Sequence, residues 1–371
     1  MKKQLVLIGG GHAHMVTLAN LSAITAKGHG VTVIGPSDFH YYSGMGPGML
    51  SGTYRPEEIR FATRQVVEKQ GGTFLNGKAA TIDPEQQVVI LENGRTVPYD
   101  VLSCNAGSHV PKPAIDGEIS DLYTVKPIER LMEAKDRLVD HFSRHSPDVV
   151  IVGGGPSSAE VAGNVWQLAT ISGGHTPRIT ICAGSDFMSR FPASVGRKIR
   201  GTLTRRGITI REGAFVKSVS RDAVNLDNGE RLPADFIFLA LGVKPSAIFA
   251  NSGIATGPDG GLRVNRFLQS TQHPCIFGGG DCIYFEDRPL DKVGVYAVRQ
   301  NPVLLHNIVA QLNGGDLMPF DPGGDYLLIL NLGGRVGVLK KRWLEFGGRP
   351  AFVIKDYIDR KFMQEFQAIE A

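Results

Sequence analysis

Residues 5–14 read Leu5-Val6-Leu7-Ile8-Gly9-Gly10-Gly11-His12-Ala13-His14, and residues 149–160 read Val149-Val150-Ile151-Val152-Gly153-Gly154-Gly155-Pro156-Ser157-Ser158-Ala159-Glu160. Each stretch is an apolar run that meets glycines and should turn straight into a helix. The apolar run is a buried strand, and the glycines shape the turn that follows it. Later in each half a second pair aligns without a gap. Residues 91–107 (LENGRTVPYDVLSCNAG) match residues 226–242 (LDNGERLPADFIFLALG). One glycine motif alone is weak evidence. Two, each followed by the same hairpin and buried strand, describe an α/β chain that binds two dinucleotides and passes electrons between them.

In the first motif Gly9 permits the tight turn and Gly11 lets the backbone approach a pyrophosphate. The helix that follows offers unpaired N–H groups and a positive dipole end. His14 stands where a third glycine is usual. His12 and His14 fall on the first helical turn, where packing or a hydrogen bond to a phosphate is preferred over acid–base work. The strand Val31-Thr32-Val33-Ile34 ends in Gly35, so Asp38 is the nearest carboxylate for a ribose. Far downstream, residues 275–282 (CIFGGGDC) end a short strand in Gly280-Asp281. Asp281 can accept a hydrogen bond from a cofactor hydroxyl. In the second motif Gly153, Gly155 and Ser158 give G-x-G-x-x-S. The next strand, residues 178–182, ends with neither a carboxylate nor an arginine pair, which leaves NADH and NADPH both open. Glu160 either faces the reacting rings or complements the helix dipole.

The chain has 371 residues, room for two or three domains. A net charge of +4 without a Lys/Arg block gives no nucleic-acid footprint. No signal peptide is expected, and no apolar run reaches the roughly 18 residues of a membrane span. The four cysteines, Cys104, Cys182, Cys275 and Cys282, form no C-x-x-C or C-x-x-x-x-C pair. That pattern fits a reducing, cytoplasmic setting without structural disulfides. No metal site is expected.

The order of these motifs resembles the pyridine nucleotide–disulfide oxidoreductase superfamily over nearly the whole chain, with Asn105-Ala106-Gly107-Ser108 in place of the usual Ala-Thr-Gly. Residues 9–14 (GGGHAH), 42–48 (YSGMGPG), 294–300 (GVYAVRQ) and 355–363 (KDYIDRKFM) look like a narrower group. This is the NADH-dehydrogenase-like flavoproteins, related to type II NADH dehydrogenases and sulfide:quinone reductases. That group also occurs fused to selenide, water dikinase; this chain shows no kinase part and resembles the stand-alone form. The resemblance implies two Rossmann-like domains and a cap. FAD would be held by a discontinuous domain, 1–108 and 243–322. NAD(P)H would be held by an inserted domain, 109–242, and residues 323–371 would form the small C-terminal cap. The cofactor-binding positions it implies are Gly9, Gly11, His12, His14, Asp38, Met45, Pro47, Ala106, Gly107, Gly153, Gly155, Ser158, Gly242, Gly280, Asp281, Tyr296 and Ala297.

Disulfide reductases of this superfamily carry C-x-x-x-x-C where residues 41–48 (YYSGMGPG) stand here. A dithiol relay needs a thiolate, so a glutathione- or lipoamide-type reductase is excluded. Sulfide:quinone reductases need acceptor-side cysteines, and none follows Cys282. Cys104 and Cys282 would have to be mobile and close to the flavin. Direct flavin chemistry remains: hydride from NAD(P)H, electrons to a small quinone-like acceptor, the protein orienting and tuning the cofactor. Glu160 and Lys126 are the candidate catalytic residues, with Lys126 either a charge near the flavin or a solvated linker lysine. A helix starting near Tyr296 should aim its N-terminus at a flavin carbonyl. The Ala-Gln-x-Ala-x-Gln pattern of type II enzymes would put its glutamines at Val295 and Arg299, so no quinone site is read from it. Ile354, Ile358, Phe362 and Phe366 recur every fourth residue, with Lys355, Arg360 and Lys361 around them. Such a helix suits a membrane surface, reached peripherally from the inner face, or a homodimer contact. Packing on its own domain is preferred. The alternatives to a dehydrogenase are a sulfide- or selenium-linked oxidoreductase and a flavin-binding redox sensor with little turnover.

Overall fold

The computed structural model describes residues 1–370. Leu5, Val6, Leu7 and Ile8 are all buried, as a strand covered on both faces requires. The strand Gln4–Ile8 lies at the centre of a five-stranded parallel sheet. In spatial order the strands are Ile276–Gly278, Val101–Cys104, Gln4–Ile8, Gly30–Gly35 and Thr73–Asn76. Leu5 pairs with Val31 on one side and Val101 on the other.

A second five-stranded parallel sheet repeats the last four places of this order, but its first strand precedes its glycine motif in the chain instead of following it. Its strands run Leu122–Thr124, Phe236–Leu239, Asp148–Val152, Arg178–Cys182 and Thr209–Arg211. The gap-free alignment of the two halves survives as geometry. Val88–Leu91, Thr96–Pro98 and Val101–Cys104 in one half match Ala223–Leu226, Arg231–Pro233 and Phe236–Leu239 in the other. Gly94 (φ +82°) and Gly229 (φ +87°) turn the equivalent hairpins. The strands Thr73–Asn76 and Thr209–Arg211 precede the equivalent hairpins and form an edge of each parallel sheet. The repeat is thus a pair of doubly wound units, each with an antiparallel ribbon.

One departure concerns a helix. The first glycine motif does not run into one long helix. A 3₁₀ turn, His12–His14, leads to two short helices, Met15–Ala19 and Leu21–Thr25. The second motif opens the 17-residue helix Pro156–Ser172. After residue 322 three antiparallel strands, Leu328–Asn331, Gly337–Lys341 and Leu344–Gly348, precede the helix Arg349–Gln367. Arg342, at φ +53°, makes the turn before the third strand. This cap sits directly on the second unit. A Cβ on Gly163 would lie 2.1 Å from the carbonyl oxygen of Leu332, so only glycine allows the helix that close.

Candidate functional site

A cavity of about 400 Å³ opens at the carboxyl ends of the first sheet, lined by Gly9–His12, residues 105–109, Lys126, Asp281 and the start of the Gly294–Asn313 helix. Ligands of open α/β sheets bind at such a place. Gly9 has φ +83°, and a Cβ there would meet the Asn105 carbonyl oxygen at 2.3 Å. Gly153 repeats this at φ +139°, with the Ala240 oxygen at 2.2 Å. Asn105 and Ala240 follow equivalent strands, so both glycine turns seat on the same partner.

Three cavity-lining atoms are buried without a hydrogen-bond partner: His12 Nε2, Thr63 Oγ1 and Asn105 Nδ2. Orphaned buried polar atoms cost about 1–3 kcal/mol each. At Thr63 and Asn105 a ligand rich in phosphate and hydroxyl oxygens relieves that cost, which is the chemistry of a dinucleotide. Ala106, Gly107 and Gly280 line the cavity as expected. Asp281 accepts hydrogen bonds from Lys126 Nζ at 2.6 Å and Ser108 Oγ at 3.0 Å. Burial alone would raise the Asp281 carboxyl. The Lys126 charge and the two hydrogen bonds outweigh burial and hold it below the usual range. Lys126 is therefore no solvated linker residue. It is a fixed cation in the cavity wall.

Several expected contacts lie elsewhere. His14 commits both ring nitrogens to the scaffold, Nδ1 donating to the Gly9 oxygen at 2.7 Å and Nε2 accepting from Ser103 Oγ at 2.8 Å. Burial lowers it to about 4, so it is a neutral strut for the glycine turn, away from the cavity. Asp38 is outside the lining and paired with Arg64 at 2.8 Å. Met45 and Pro47 are buried in the core beneath the cap, while Ser43 of the same stretch reaches the cavity. The helix begins at Gly294 rather than Tyr296. Gly294 and Ala297 line the cavity, whereas Tyr296 borders a neighbouring cleft and packs edge-on against Tyr326.

In the second unit Gly155 caps the Pro156–Ser172 helix, and Ser158 Oγ donates to the Gly155 oxygen at 2.6 Å. A Cβ on Gly155 or Gly242 would meet nothing within 4 Å, so the helix N-terminus stands open to an anion. Glu160 is outside the first cavity. Its Oε1 accepts from the Asn331 N–H at 2.8 Å. Burial raises it to about 7, against the lowering pull of Lys355. Lys355 pairs with Asp359 at 2.8 Å and donates to the Gly44 oxygen; Asp359 also accepts from Tyr42 Oη at 3.0 Å. Lys355 and Asp359 are not on the wet side of the last helix. They belong to its buried side, together with Ala351, Phe352 and Met363. The helix does pack on its own chain, but Ile354 and Ile358 face out. A Lys–Asp pair four residues apart is the signal in the sequence for this buried pair.

The cysteines do not serve the cavity. Cys104 and Cys282 are buried, and Cys282 Sγ donates to the Cys104 carbonyl at 3.4 Å. Burial pushes both thiols up, Cys282 to about 11.

Two doubly wound units, two glycine turns and a cavity built for a dinucleotide define a two-nucleotide oxidoreductase. The chain belongs to the pyridine nucleotide-disulphide oxidoreductase family, whose sequence profile matches residues 3–311. It is 23% identical to a probable NADH dehydrogenase of Dictyostelium discoideum over 95% of this chain and 83% of that one. It is 23% identical to a type II NADH:quinone oxidoreductase of Staphylococcus saprophyticus, over 97% and 95%. In fold it is similar to the sulfide:quinone oxidoreductase of Aquifex aeolicus (TM-score 0.79, 19% identity, 99% and 92% covered). The same holds for NDH2 of Plasmodium falciparum in complex with NADH (TM-score 0.81, 14% identity, 100% and 97% covered).

Proposed function

We propose that the chain is an FAD-dependent NAD(P)H dehydrogenase that passes electrons to a quinone-like acceptor without a redox disulfide. The observation that carries this is the thiol-free cavity wall. Tyr41 and Ser43 line it in the stretch where a dithiol would sit, and no cysteine lines it. The relatives named as NADH dehydrogenase and NADH:quinone oxidoreductase support the same reading.

FAD belongs with residues 1–108 and 243–322, and the nicotinamide nucleotide with residues 109–242. Gly9, Gly11, Thr63, Asn105 and Asp281 would hold FAD, which when bound supplies two-electron exchange between the donor and the acceptor. The protein's part is placement and charge. Gly9 and Gly11 admit the pyrophosphate, and the Gly294–Asn313 helix points its positive end into the cavity. Lys126 adds a fixed positive charge. Gly153, Gly155, Ser158 and Gly242 shape the nicotinamide nucleotide's turn. Glu160, with its value near 7, holds or releases a proton at Oε2 while Oε1 stays on Asn331.

Trp343 (89% exposed), Leu344, Val353, Ile354, Tyr357 (67% exposed) and Ile358 make an apolar face on the cap, flanked by exposed Lys341 and Arg342. This composition suits shallow seating on an anionic membrane, where a quinone pool dissolves. No helix among the described residues is long and apolar enough to cross a membrane. The test is anaerobic. Protein loaded with FAD is mixed with NADH or NADPH, then with a short-chain quinone, while the visible flavin band is followed. Loss and return of colour support the reading; a protein that takes up no FAD ends it.

A further inference from the structure

We propose that His12 and His40 form a two-imidazole path that carries a proton from solvent to the sealed wall of the cofactor cavity, for delivery to the reduced acceptor. The proposal rests on the quinone-reductase reading above.

His12 is almost fully buried, at 9% exposure. Its Nδ1 lies 3.3 Å from His40 Nε2, a hydrogen bond between two rings. Its Nε2 has no partner and no contact with water. His14, two residues on, uses both nitrogens, so the open one on His12 is not a general feature of this turn. The ring is held in place. Phe362 of the last helix stacks on it at 6.0 Å and 9°, Tyr42 packs against it at 5.1 Å, and Asn301 Nδ2 bonds to its carbonyl. Its open nitrogen is thus kept at the cavity wall, where a partner must come to it. His40 is the outer member. It lines the cavity and is only partly covered, next to exposed Phe39.

The electrostatics keep the pair neutral at rest. Burial lowers His12 to about 3 and His40 to about 4, and Lys126 disfavours charge on both, with Asp281 opposing it at His12. Two neutral imidazoles in one hydrogen bond are suited to exchange rather than storage. A proton that arrives at His40 Nδ1 releases the one on Nε2 to His12 Nδ1, and the one on His12 Nε2 leaves. The tautomer that passes the proton inward is therefore Nε2–H on both rings; one passage leaves Nδ1–H on both, and each ring turns over about χ2 to regain the starting form before the next.

The overall reaction needs one such proton. NAD(P)H gives a hydride, which is two electrons and one proton. A quinone becomes a quinol by taking two electrons and two protons. The balance is NAD(P)H + H⁺ + quinone → NAD(P)⁺ + quinol, and the second proton comes from water. No hydrogen bond among the described residues links Glu160 to His12. The two groups thus give separable signatures.

The test separates the halves of the reaction in FAD-loaded His40→Gln and His12→Gln proteins. Bleaching of the flavin by the nicotinamide nucleotide reads the donor half. Recolouring by a short-chain benzoquinone reads the acceptor half, with free imidazole added in a second series. FAD affinity is titrated separately on the apo-protein by flavin fluorescence. A positioned proton-transfer group typically contributes about 10²–10⁴-fold. The recolouring rate should therefore fall at least about tenfold more than the bleaching rate in both variants. Imidazole should restore His40→Gln more than His12→Gln, because only the outer position is reached from solvent. Equal loss in both halves overturns the relay. So does weakened FAD affinity with unaltered half-reactions, since the pair is then a cofactor support. His40→Gln decides the matter if the buried His12 variant does not fold. If the unaltered protein recolours with no quinone, the quinone-reductase reading itself has failed, which is a different result from an intact wild type with an unaffected variant.

Discussion

Replacing Glu160 with glutamine should stabilise the protein above neutral pH and leave it unchanged in acid. Glu160 is raised from 4.5 to about 7, chiefly by burial. The native state therefore holds this proton where the unfolded chain has lost it. Between pH 4.5 and 7 the native state binds more protons, so stability falls as pH rises and then levels off. One pKa unit corresponds to about 1.4 kcal/mol, which sets an upper bound of about 3–4 kcal/mol for the penalty; partial exposure brings the expectation to about 1–3 kcal/mol. The substituted amide would keep the oxygen that accepts from Asn331, and Lys355 would keep Asp359. Urea unfolding of the FAD-loaded protein at pH 4.5, 6 and 8 measures the difference. Glu160→Gln should match the parent at pH 4.5 and exceed it at pH 8. A variant that is less stable at pH 8, or offset equally at every pH, would falsify the assignment of a protonatable, strained carboxyl. The same substitution should remove any inflection near pH 7 from the acceptor half-reaction.

Lys126→Met strands the Asp281 carboxylate in the cavity wall, and loss of one partner of such a pair costs about 3 kcal/mol, read as a lower melting temperature with less bound FAD. Gly163→Ala drives a methyl into the Leu332 carbonyl; a loss of about 1–3 kcal/mol and earlier proteolysis of the cap are expected, and an unchanged protein would mean the cap is not seated there. Paired Tyr357→Asp and Ile358→Asp substitutions should abolish co-sedimentation with anionic lipid vesicles while the melting temperature holds. If the same pair instead splits a dimer, the exposed face is a contact between two copies.

The parts that the sequence reveals are those where backbone geometry permits one residue type. Gly9 and Gly153 each stand at positive φ against a carbonyl oxygen that a Cβ would strike, so their turns are written in the chain. The equivalent hairpins are legible because both halves keep the turn glycine and the strand lengths. What stays hidden depends on tertiary placement. Thr63 and His40 lie in no motif, and only the folded first unit brings their side chains to Gly10 and His12. The last helix shows the limit of periodicity. A fourfold repeat of Ile354, Ile358, Phe362 and Phe366 marks an apolar stripe, but it does not say that Lys355 and Asp359 turn inward to meet Tyr42 and Gly44. Asp38 is the nearest carboxylate in sequence, yet Arg64 holds it outside the cavity.

A dehydrogenase that works through a flavin without thiols is best probed by the order of colour changes in one anaerobic cuvette, with the parent protein beside a Cys104→Ser, Cys282→Ser double variant that removes the two buried thiols. Such an enzyme is bleached by NADH or NADPH and fully recoloured by a quinone, both steps indifferent to the loss of the thiols. Bleaching that no quinone reverses, or recolouring that vanishes in the double variant, rules it out.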